Sequence, residues 1–166
     1  MNIVLMGYRG TGKSTVGRLL AVRLGRELVS TDAEIIKRAQ HSIPEIVAQE
    51  GWEYFRDLES DICREFAGRD QLVIDTGGGA ILRAQNVEAL KKNGTVFWLT
   101  ASVETIVKRI GGDNQRPSLT GTKSFVDEIQ DVLRERTPKY QAATDHTIAT
   151  DNRSVNHLVE TILALI

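Results

Sequence analysis

The sequence predicts an α/β fold of three layers, in which helices cover both faces of a parallel β-sheet. Five short apolar segments have the composition of strands, and the segments between them have the apolar spacing of helices. The predicted strands are residues 3–6, 27–29, 72–74, 96–99 and 147–149. Alternating strands and helices form parallel sheets through right-handed crossovers. Because ligands bind such sheets at the carboxyl ends of the strands, we expect the functional residues there.

The first strand leads directly into the sequence GYRGTGKST at residues 7–15. Gly7 is separated by four residues from Gly12-Lys13-Ser14, which is the spacing of a phosphate-binding loop. Glycines let such a loop curl so that N–H groups converge on an anion, and the next helix directs its positive end there. We expect Lys13 to bind the outer phosphates of ATP or GTP, and Ser14 to bind Mg²⁺. A glycine-rich turn without a ligand is the alternative, but the flanking strand and helix favour nucleotide binding.

Acidic residues follow the second and third strands. The second strand leads into Ser30-Thr31-Asp32, and Asp32 precedes a helical pattern, where Asp is favoured as an N-cap or first-turn residue. Beside the phosphate loop it is also placed to accept a proton from a substrate hydroxyl. The third strand ends in Asp75, the general form of a second magnesium motif in nucleotide-binding proteins.

Three consecutive glycines, Gly77-Gly78-Gly79, follow the third strand. This run is too long for an ordinary turn, and it allows a ligand to approach the backbone closely and to accept from its N–H groups. A loose hinge is the alternative. Later in the chain, the polar, glycine-rich residues 111–122 have the composition of a mobile loop. The segment from Ser154 onward predicts a closing amphipathic helix.

Three arginines in unlike contexts suggest acidic ligands. Arg56 lies in the aromatic segment WEYFR, and Arg116 lies in the glycine-rich loop. Arg136 precedes Thr137-Pro138, where we expect its helix to end. Surface arginines are usually solvated. The planar fork of arginine, however, matches carboxylate and phosphate oxygens two at a time, so these residues indicate two acidic ligands.

Length and composition restrict the function further. The 166 residues suit one compact domain, and the balance of 21 basic and 22 acidic side chains predicts no nucleic-acid or membrane surface. Cys63 is the single cysteine and cannot form an internal disulfide. We find no signal-peptide pattern and no apolar run long enough to span a bilayer. We expect a cytoplasmic protein that acts on a small molecule, and we expect it to be monomeric.

Together, these segments closely resemble the shikimate kinase family, whose members transfer the γ-phosphate of ATP to the 3-hydroxyl of shikimate. That reaction is a step of chorismate and aromatic amino-acid biosynthesis. The resemblance covers almost the whole chain, and only the phosphate loop is shared with many other nucleotide-binding proteins. It rests on GYRGTGKST, Thr31-Asp32, Phe55-Arg56 with Glu59, TGGGA at 76–80, Arg116-Pro117 and Arg136-Thr137-Pro138-Lys139-Tyr140.

The resemblance implies a role for each site residue. The implied catalytic residues are Asp32, Lys13 and Arg116. The implied contacts to ATP are Gly10, Thr11, Gly12, Lys13, Ser14, Thr15, Arg109, Arg116 and Arg153. The implied contacts to shikimate are Asp32, Arg56, Glu59, Gly77, Gly78, Gly79 and Arg136. Within this set the resemblance makes Asp32 the proton acceptor, Arg56 and Arg136 the clamp on the carboxylate, and Glu59 the support of Arg56.

The resemblance also implies an arrangement of the chain. The family has a P-loop NTPase fold related to nucleoside monophosphate kinases, with five parallel strands in the order 2-3-1-4-5. Residues 1–166 would form a single kinase domain, with a substrate-binding segment at about 31–61 and a mobile lid at about 111–124. Arg116 on the lid would neutralise charge on the transferred phosphoryl group, and Arg109 would stack on adenine.

The sequence departs from the family at Ser118, where an apolar residue is usual, and at two positions that concern the magnesium site. Ser30 stands where the family usually has an aspartate that helps to hold the water shell of Mg²⁺, and Asp75 stands where the family commonly has a small residue. Strands two and three should be neighbours in the sheet. We therefore hypothesise that the carboxylate has moved from position 30 to Asp75, so that Ser14 and Asp75 form the magnesium site. The alternative is that water alone replaces the lost acid.

Other functions remain open at the level of sequence. A gluconate kinase also phosphorylates an acidic polyol, but the separated pair Arg56 and Arg136 and the triple glycine favour shikimate. A nucleoside monophosphate kinase would need a base-reading pocket, which two arginines at a carboxylate do not provide. A nucleotide-binding switch without turnover is a third alternative, since Ser30 replaces an acid. A binding module need not retain a base, a lid charge and an acceptor clamp together, which argues against this alternative. The residues concerned are Lys13, Asp32, Arg116 and Arg136.

Overall fold

The computed structural model describes residues 1–111 and 124–166, and its centre is a parallel sheet of five strands in the order β2-β3-β1-β4-β5. The strands are β1 (Asn2–Met6), β2 (Glu27–Ser30), β3 (Leu72–Asp75), β4 (Gly94–Thr100) and β5 (His146–Ala149). Every predicted strand is present and slightly longer than predicted. The parallel pairing and the strand order are also confirmed.

Helices cover both faces of the sheet, as predicted. They are α1 (Lys13–Leu24), α2 (Thr31–Ala39), α3 (Ile43–Ala67), α4 (Ala84–Lys92), α5 (Val103–Ile110), α6 (Phe125–Ala143) and α7 (Val155–Leu163), with a short 3-10 helix at Ala80–Leu82. None of the helices in the described part of the chain is long and apolar enough to cross a membrane. The predicted lid, with Arg116, falls almost entirely within residues 112–123, which lie outside the described residues.

The central strand β1 divides the core into two layers. Successive side chains of a strand point to opposite faces of the sheet. Val4 and Met6 accordingly pack in the cluster formed with α2, α3, α4 and α6. Ile3 and Leu5 pack in the cluster formed with α1 and α7. All five residues of β1 are buried, as expected for a strand that is covered on both faces.

Helix α6 corrects one prediction. We expected the helix to end at Arg136-Thr137-Pro138, but it continues through Pro138 to Ala143. Proline has no N–H group, so Pro138 cannot donate the helical hydrogen bond to the carbonyl four residues earlier. Tyr140 and Ala143 beyond the proline are buried in the core, and this packing outweighs the lost bond. As a result, Arg136 and Tyr140 lie one helical turn apart on the same face.

The turn between β2 and α2 is fixed by two hydroxyl groups. The Ser30 side chain accepts a bond from the Ala33 N–H at 3.3 Å and caps α2, so Asp32 lies in the first turn but is not the cap. The fully buried Thr31 hydroxyl accepts a bond from the Gly77 N–H at 2.8 Å. This second bond ties the start of α2 to the triple glycine after β3.

Replacing Thr31 tests this tie. Thr31→Val keeps the shape but leaves the buried Gly77 N–H without its acceptor, which costs about 1–3 kcal/mol. Thr31→Ser keeps the hydroxyl and loses only a methyl group. Urea unfolding of both variants should show the valine variant to be less stable than the serine variant. Equal stability, or a more stable valine variant, would contradict the role given to this hydrogen bond.

Candidate active site

A pocket of about 590 Å³ opens at the carboxyl ends of the central strands. The phosphate loop, the start of α2, the end of β3 and the side chain of Arg109 from α5 all line it. The predicted site residues that line this pocket are Gly10, Gly12, Lys13, Ser14, Thr15, Asp32, Asp75, Gly78 and Arg109. The edge of the sheet that the sequence indicated is therefore the one that carries the pocket.

The phosphate loop closes around the ammonium group of Lys13. Its Nζ donates to the carbonyls of Gly7 and Tyr8 at 2.9 and 3.1 Å. Gly12 has φ 95°, a left-handed conformation that favours glycine, and α1 begins at the next residue. The N–H groups at the start of α1 thus face the pocket. The Thr11 hydroxyl is turned away, since it donates to the Tyr8 carbonyl at 2.8 Å.

Ser14 and Asp75 meet at the base of the pocket. The Ser14 hydroxyl donates to Oδ2 of Asp75 at 2.5 Å, and only 6% of Asp75 is exposed. Asp75 is the register partner of Ser30 in β2, as the hypothesis of a moved carboxylate requires. Mg²⁺ prefers oxygen ligands and often takes only one or two from the protein, so a hydroxyl and a carboxylate fit it. No cluster of three or more metal-binding acids, histidines or cysteines occurs among the described residues.

Arg56 lies directly against the backbone of the triple glycine. A Cβ added at Gly79 would lie 2.2 Å from Nη2 of Arg56, so only glycine leaves room for the guanidinium. Nη1 donates to Oε2 of Glu59 at 2.7 Å in a buried ion pair. Cζ also lies 5.3 Å from the centre of the Trp52 ring and 5.2 Å from that of Phe55. An ion pair with Glu59 therefore holds Arg56 in place, and aromatic rings confine the guanidinium.

Arg136 reaches the same backbone from α6. A Cβ at Gly78 would lie 3.6 Å from its Nη1, and the Tyr140 hydroxyl donates to the Gly78 carbonyl. Burial lowers the pKa of Arg136, and the positive charge of Arg56 lowers it in the same direction. Two guanidinium groups therefore flank Gly78 and Gly79, and an anion between them would relieve their repulsion. This arrangement suits a carboxylate.

The remaining predicted site residues differ in whether they line the pocket. Asp32 is half-buried and lines the pocket from the first turn of α2. Arg109 crosses the phosphate loop, with Nη1 3.0 Å from the Gly10 carbonyl. Arg153 is exposed on the turn after β5 and does not line the pocket. Arg116 lies outside the described residues, so its position stays a prediction.

Sequence reasoning missed three contacts at the site. Tyr140 holds the Gly78 carbonyl, and its spacing of four residues from Arg136 is a helical signal that the expected helix end concealed. Thr31 binds Gly77, and no local pattern indicates that long-range bond. Arg9 of the phosphate loop lines the pocket, with Cζ 5.7 Å from the centre of the Phe125 ring at the start of α6.

Known proteins resemble this chain over nearly its whole length. A family model described as shikimate kinase matches residues 9–166. The shikimate kinase of Nitratidesulfovibrio vulgaris is 45% identical, covering 99% of this chain and 94% of that protein. The shikimate kinase of Persephonella marina is 41% identical, with 99% and 98% covered. A solved structure of shikimate kinase from Acinetobacter baumannii in complex with shikimate has a TM-score of 0.94 at 40% identity, with 99% and 91% covered.

These similarities agree with the geometry of the pocket. The family model begins within the phosphate loop and continues through α7, so it includes every residue of the predicted site from Gly10 onward. The TM-score applies to the whole sheet and not to the loop alone. The chain has the P-loop NTPase fold and belongs to the shikimate kinase family.

Proposed function

We propose that this chain transfers the γ-phosphate of ATP to the 3-hydroxyl of shikimate, releasing ADP and shikimate 3-phosphate. The observation that carries the proposal is the pair of buried guanidinium groups, Arg56 and Arg136, on either side of Gly78-Gly79 and next to a phosphate loop. A cyclic carboxylic acid with hydroxyl groups suits that pair. The relative from Acinetobacter baumannii, which was solved with shikimate, supports the choice. The product serves chorismate and aromatic amino-acid biosynthesis.

The donor half of the site binds the nucleotide. Lys13 and the N–H groups at the start of α1 attract the β- and γ-phosphates, and Arg109 lies near the other side of the loop. In the structure, the Lys13 ammonium group donates to two loop carbonyls. When the nucleotide binds, phosphate oxygens can replace these carbonyls as acceptors without a large movement of the side chain. Ser14 and Asp75 would hold Mg²⁺, which when bound neutralises charge on the β- and γ-phosphate oxygens.

The acceptor half orients shikimate for attack. Arg56 and Arg136 bind the carboxylate, and the backbone of residues 77–79 contacts the ring hydroxyls, which directs the 3-hydroxyl towards Asp32. Asp32 accepts the proton while the hydroxyl oxygen bonds to the γ-phosphorus and the bond to the β–γ bridging oxygen breaks. Placement and charge stabilisation account for most of the rate in such a reaction.

The remaining roles follow from the same proposal. Residues 1–166 form one kinase domain, with the acceptor segment at about 31–61 and the lid at about 111–124, and Arg116 on that lid neutralises the transferred group. Arg153 on the turn after β5 borders the purine. The enzyme is a cytoplasmic monomer. The buried Cys63 thiol, whose pKa is raised by burial, supports a structural role for that residue in a reducing compartment.

A coupled assay of ADP release tests the activity. With Mg-ATP, shikimate should stimulate ADP release, whereas gluconate and the absence of an acceptor should not. Asp32→Asn keeps the size of the side chain but removes the base, and it should lower kcat by about 10²–10⁴-fold. If gluconate stimulated ADP release and shikimate did not, the assignment of shikimate as the acceptor would be wrong. ATP binding without turnover on any acceptor would favour the nucleotide switch.

The magnesium assignment is tested by moving the charge. Asp75→Asn keeps an acceptor for the Ser14 hydroxyl but removes the carboxylate, and it should raise the Mg²⁺ concentration for half-maximal activity about 10–100-fold. Calorimetry should show the same loss in Mg²⁺-dependent ADP binding, with no change in ADP binding in EDTA. Adding Ser30→Asp to the Asp75→Asn variant should bring the Mg²⁺ concentration for half-maximal activity back towards the wild-type value. The two positions are register partners, and Asp can also cap the helix that Ser30 now caps. An unchanged magnesium requirement in Asp75→Asn would show that water alone replaces the lost acid.

A further inference from the structure

Helix α5 is held at both of its ends by two consecutive residues that follow β5. Asp151 binds the amino end of the helix, and Thr150 binds Arg109 near its carboxyl end. Neither residue belongs to the phosphate loop or to the acceptor half of the site. The helix nevertheless carries Arg109, which crosses the phosphate loop.

Asp151 makes several hydrogen bonds with its one carboxylate. Oδ1 accepts from the Ser102 hydroxyl at 2.8 Å and from the Thr105 hydroxyl at 2.6 Å. The Ser102 N–H donates to both carboxylate oxygens, at 3.0 and 3.1 Å. The Thr105 hydroxyl and the Ser102 N–H lower the pKa of Asp151, so the group carries its charge at neutral pH. An anion is favoured at this end of a helix.

Thr150 connects the other end of α5 to the sheet. Its N–H and its hydroxyl each donate to the Thr100 carbonyl at 2.9 Å, and the residue is buried. Nη1 of Arg109 donates to the Thr150 hydroxyl at 3.1 Å and to the Gly10 carbonyl at 3.0 Å. The guanidinium is therefore a bridge between the end of β5 and the phosphate loop.

Helix α5 packs directly against the phosphate loop. A Cβ added at Gly10 would lie 2.7 Å from Cγ2 of Ile110 and 3.5 Å from the Ile106 carbonyl, so the helix touches the loop backbone. Gly10 also has φ 78°, which holds the loop in a conformation that favours glycine. A shift of α5 would therefore move both Arg109 and the backbone that faces the phosphates.

We propose that Asp151 is a positioning residue for the nucleotide. By holding the amino end of α5 on the turn after β5, it keeps the Arg109 guanidinium beside the phosphate loop and so strengthens the binding of a purine nucleoside di- or triphosphate. The inference rests on the proposed function only in that this pocket binds ATP. It makes Asp151 a determinant of nucleotide affinity that acts through Arg109 and touches neither shikimate nor the reacting atoms.

Calorimetry with ADP, without an acceptor, tests the role of Asp151. Asp151→Ala should weaken ADP binding and raise the KM for ATP about tenfold, while kcat at saturating ATP and the KM for shikimate stay within about twofold. Asp151→Asn, which keeps one acceptor oxygen, should lie between the wild type and the alanine variant. The asparagine variant carries the test if the alanine variant fails to fold. ADP affinity equal to that of the wild type in the folded Asp151 variants would overturn the proposal.

Asp145 provides a matched control. Its carboxylate also accepts from a backbone N–H, that of Val96 at 2.8 Å, and from Lys91 at 2.7 Å. Burial raises the pKa of Asp145, but the bonds from Lys91 and Val96 outweigh burial and lower it. It precedes β5, however, and so lies at the opposite edge of the sheet from the pocket. Asp145→Ala should lower the free energy of unfolding in urea and leave ADP affinity unchanged. A loss of ADP affinity equal to that of Asp151→Ala would mean that both residues act only through stability.

A double-mutant cycle tests whether Asp151 acts through Arg109. In the Arg109→Ala background, Asp151→Ala should weaken ADP binding by much less than it does in the wild type, because the group that it positions is already missing. If Asp151→Ala reduced ADP affinity equally in both backgrounds, Asp151 would not act through Arg109. These binding measurements are independent of the acceptor. If the wild type binds ADP but does not phosphorylate shikimate, the proposed function fails and the role of Asp151 is still measured.

Discussion

The site depends on the backbone of residues 75–79, which leaves β3 between the donor and the acceptor halves. Because β3 lies between β1 and β2, this segment begins between the phosphate loop, which follows β1, and the start of α2, which follows β2. Each of its five residues contacts a different part of the protein. In order along the segment, the partners are Ser14, Leu5, Thr31, Tyr140 and Arg56. In the proposed function, a small movement of this one segment would therefore disturb the magnesium, base and carboxylate positions together.

Charge is distributed differently in the two halves. In the acceptor half, Glu59 balances Arg56, whereas burial and the charge of Arg56 both disfavour the charged form of Arg136. In the proposed function, the carboxylate of the substrate places a negative charge beside Arg136 and offsets this cost. The donor half combines Lys13 with the carboxylate of Asp75. The proposed site for phosphates and the proposed site for an organic acid therefore differ in their balance of charge.

The parts that the sequence predicted depend on short-range signals. The strands and the phosphate loop follow from apolar spacing and from one motif. The strand order, and with it the pairing of Ser30 with Asp75, was implied by the resemblance to the shikimate kinase family. The missed features depend on tertiary packing. Helix α6 continues through Pro138 because Tyr140 beyond it is buried, and the bonds of Thr31 and Asp151 join residues 46 or more positions apart. No local pattern carries that information. The lid residue Arg116 lies outside the described residues and stays a prediction.

The most direct test of the central claim is the kinetic comparison of Gly79→Ala with the wild type. The added methyl group would overlap the Arg56 guanidinium, so the KM for shikimate should rise at least about tenfold while the KM for ATP stays the same. Gly68→Ala, where the nearest atom to the new Cβ is a carbonyl oxygen at 3.4 Å, is the control for adding a methyl to this chain. An unchanged KM for shikimate in Gly79→Ala would contradict the account, because Arg56 would then not need the space that Gly79 leaves open.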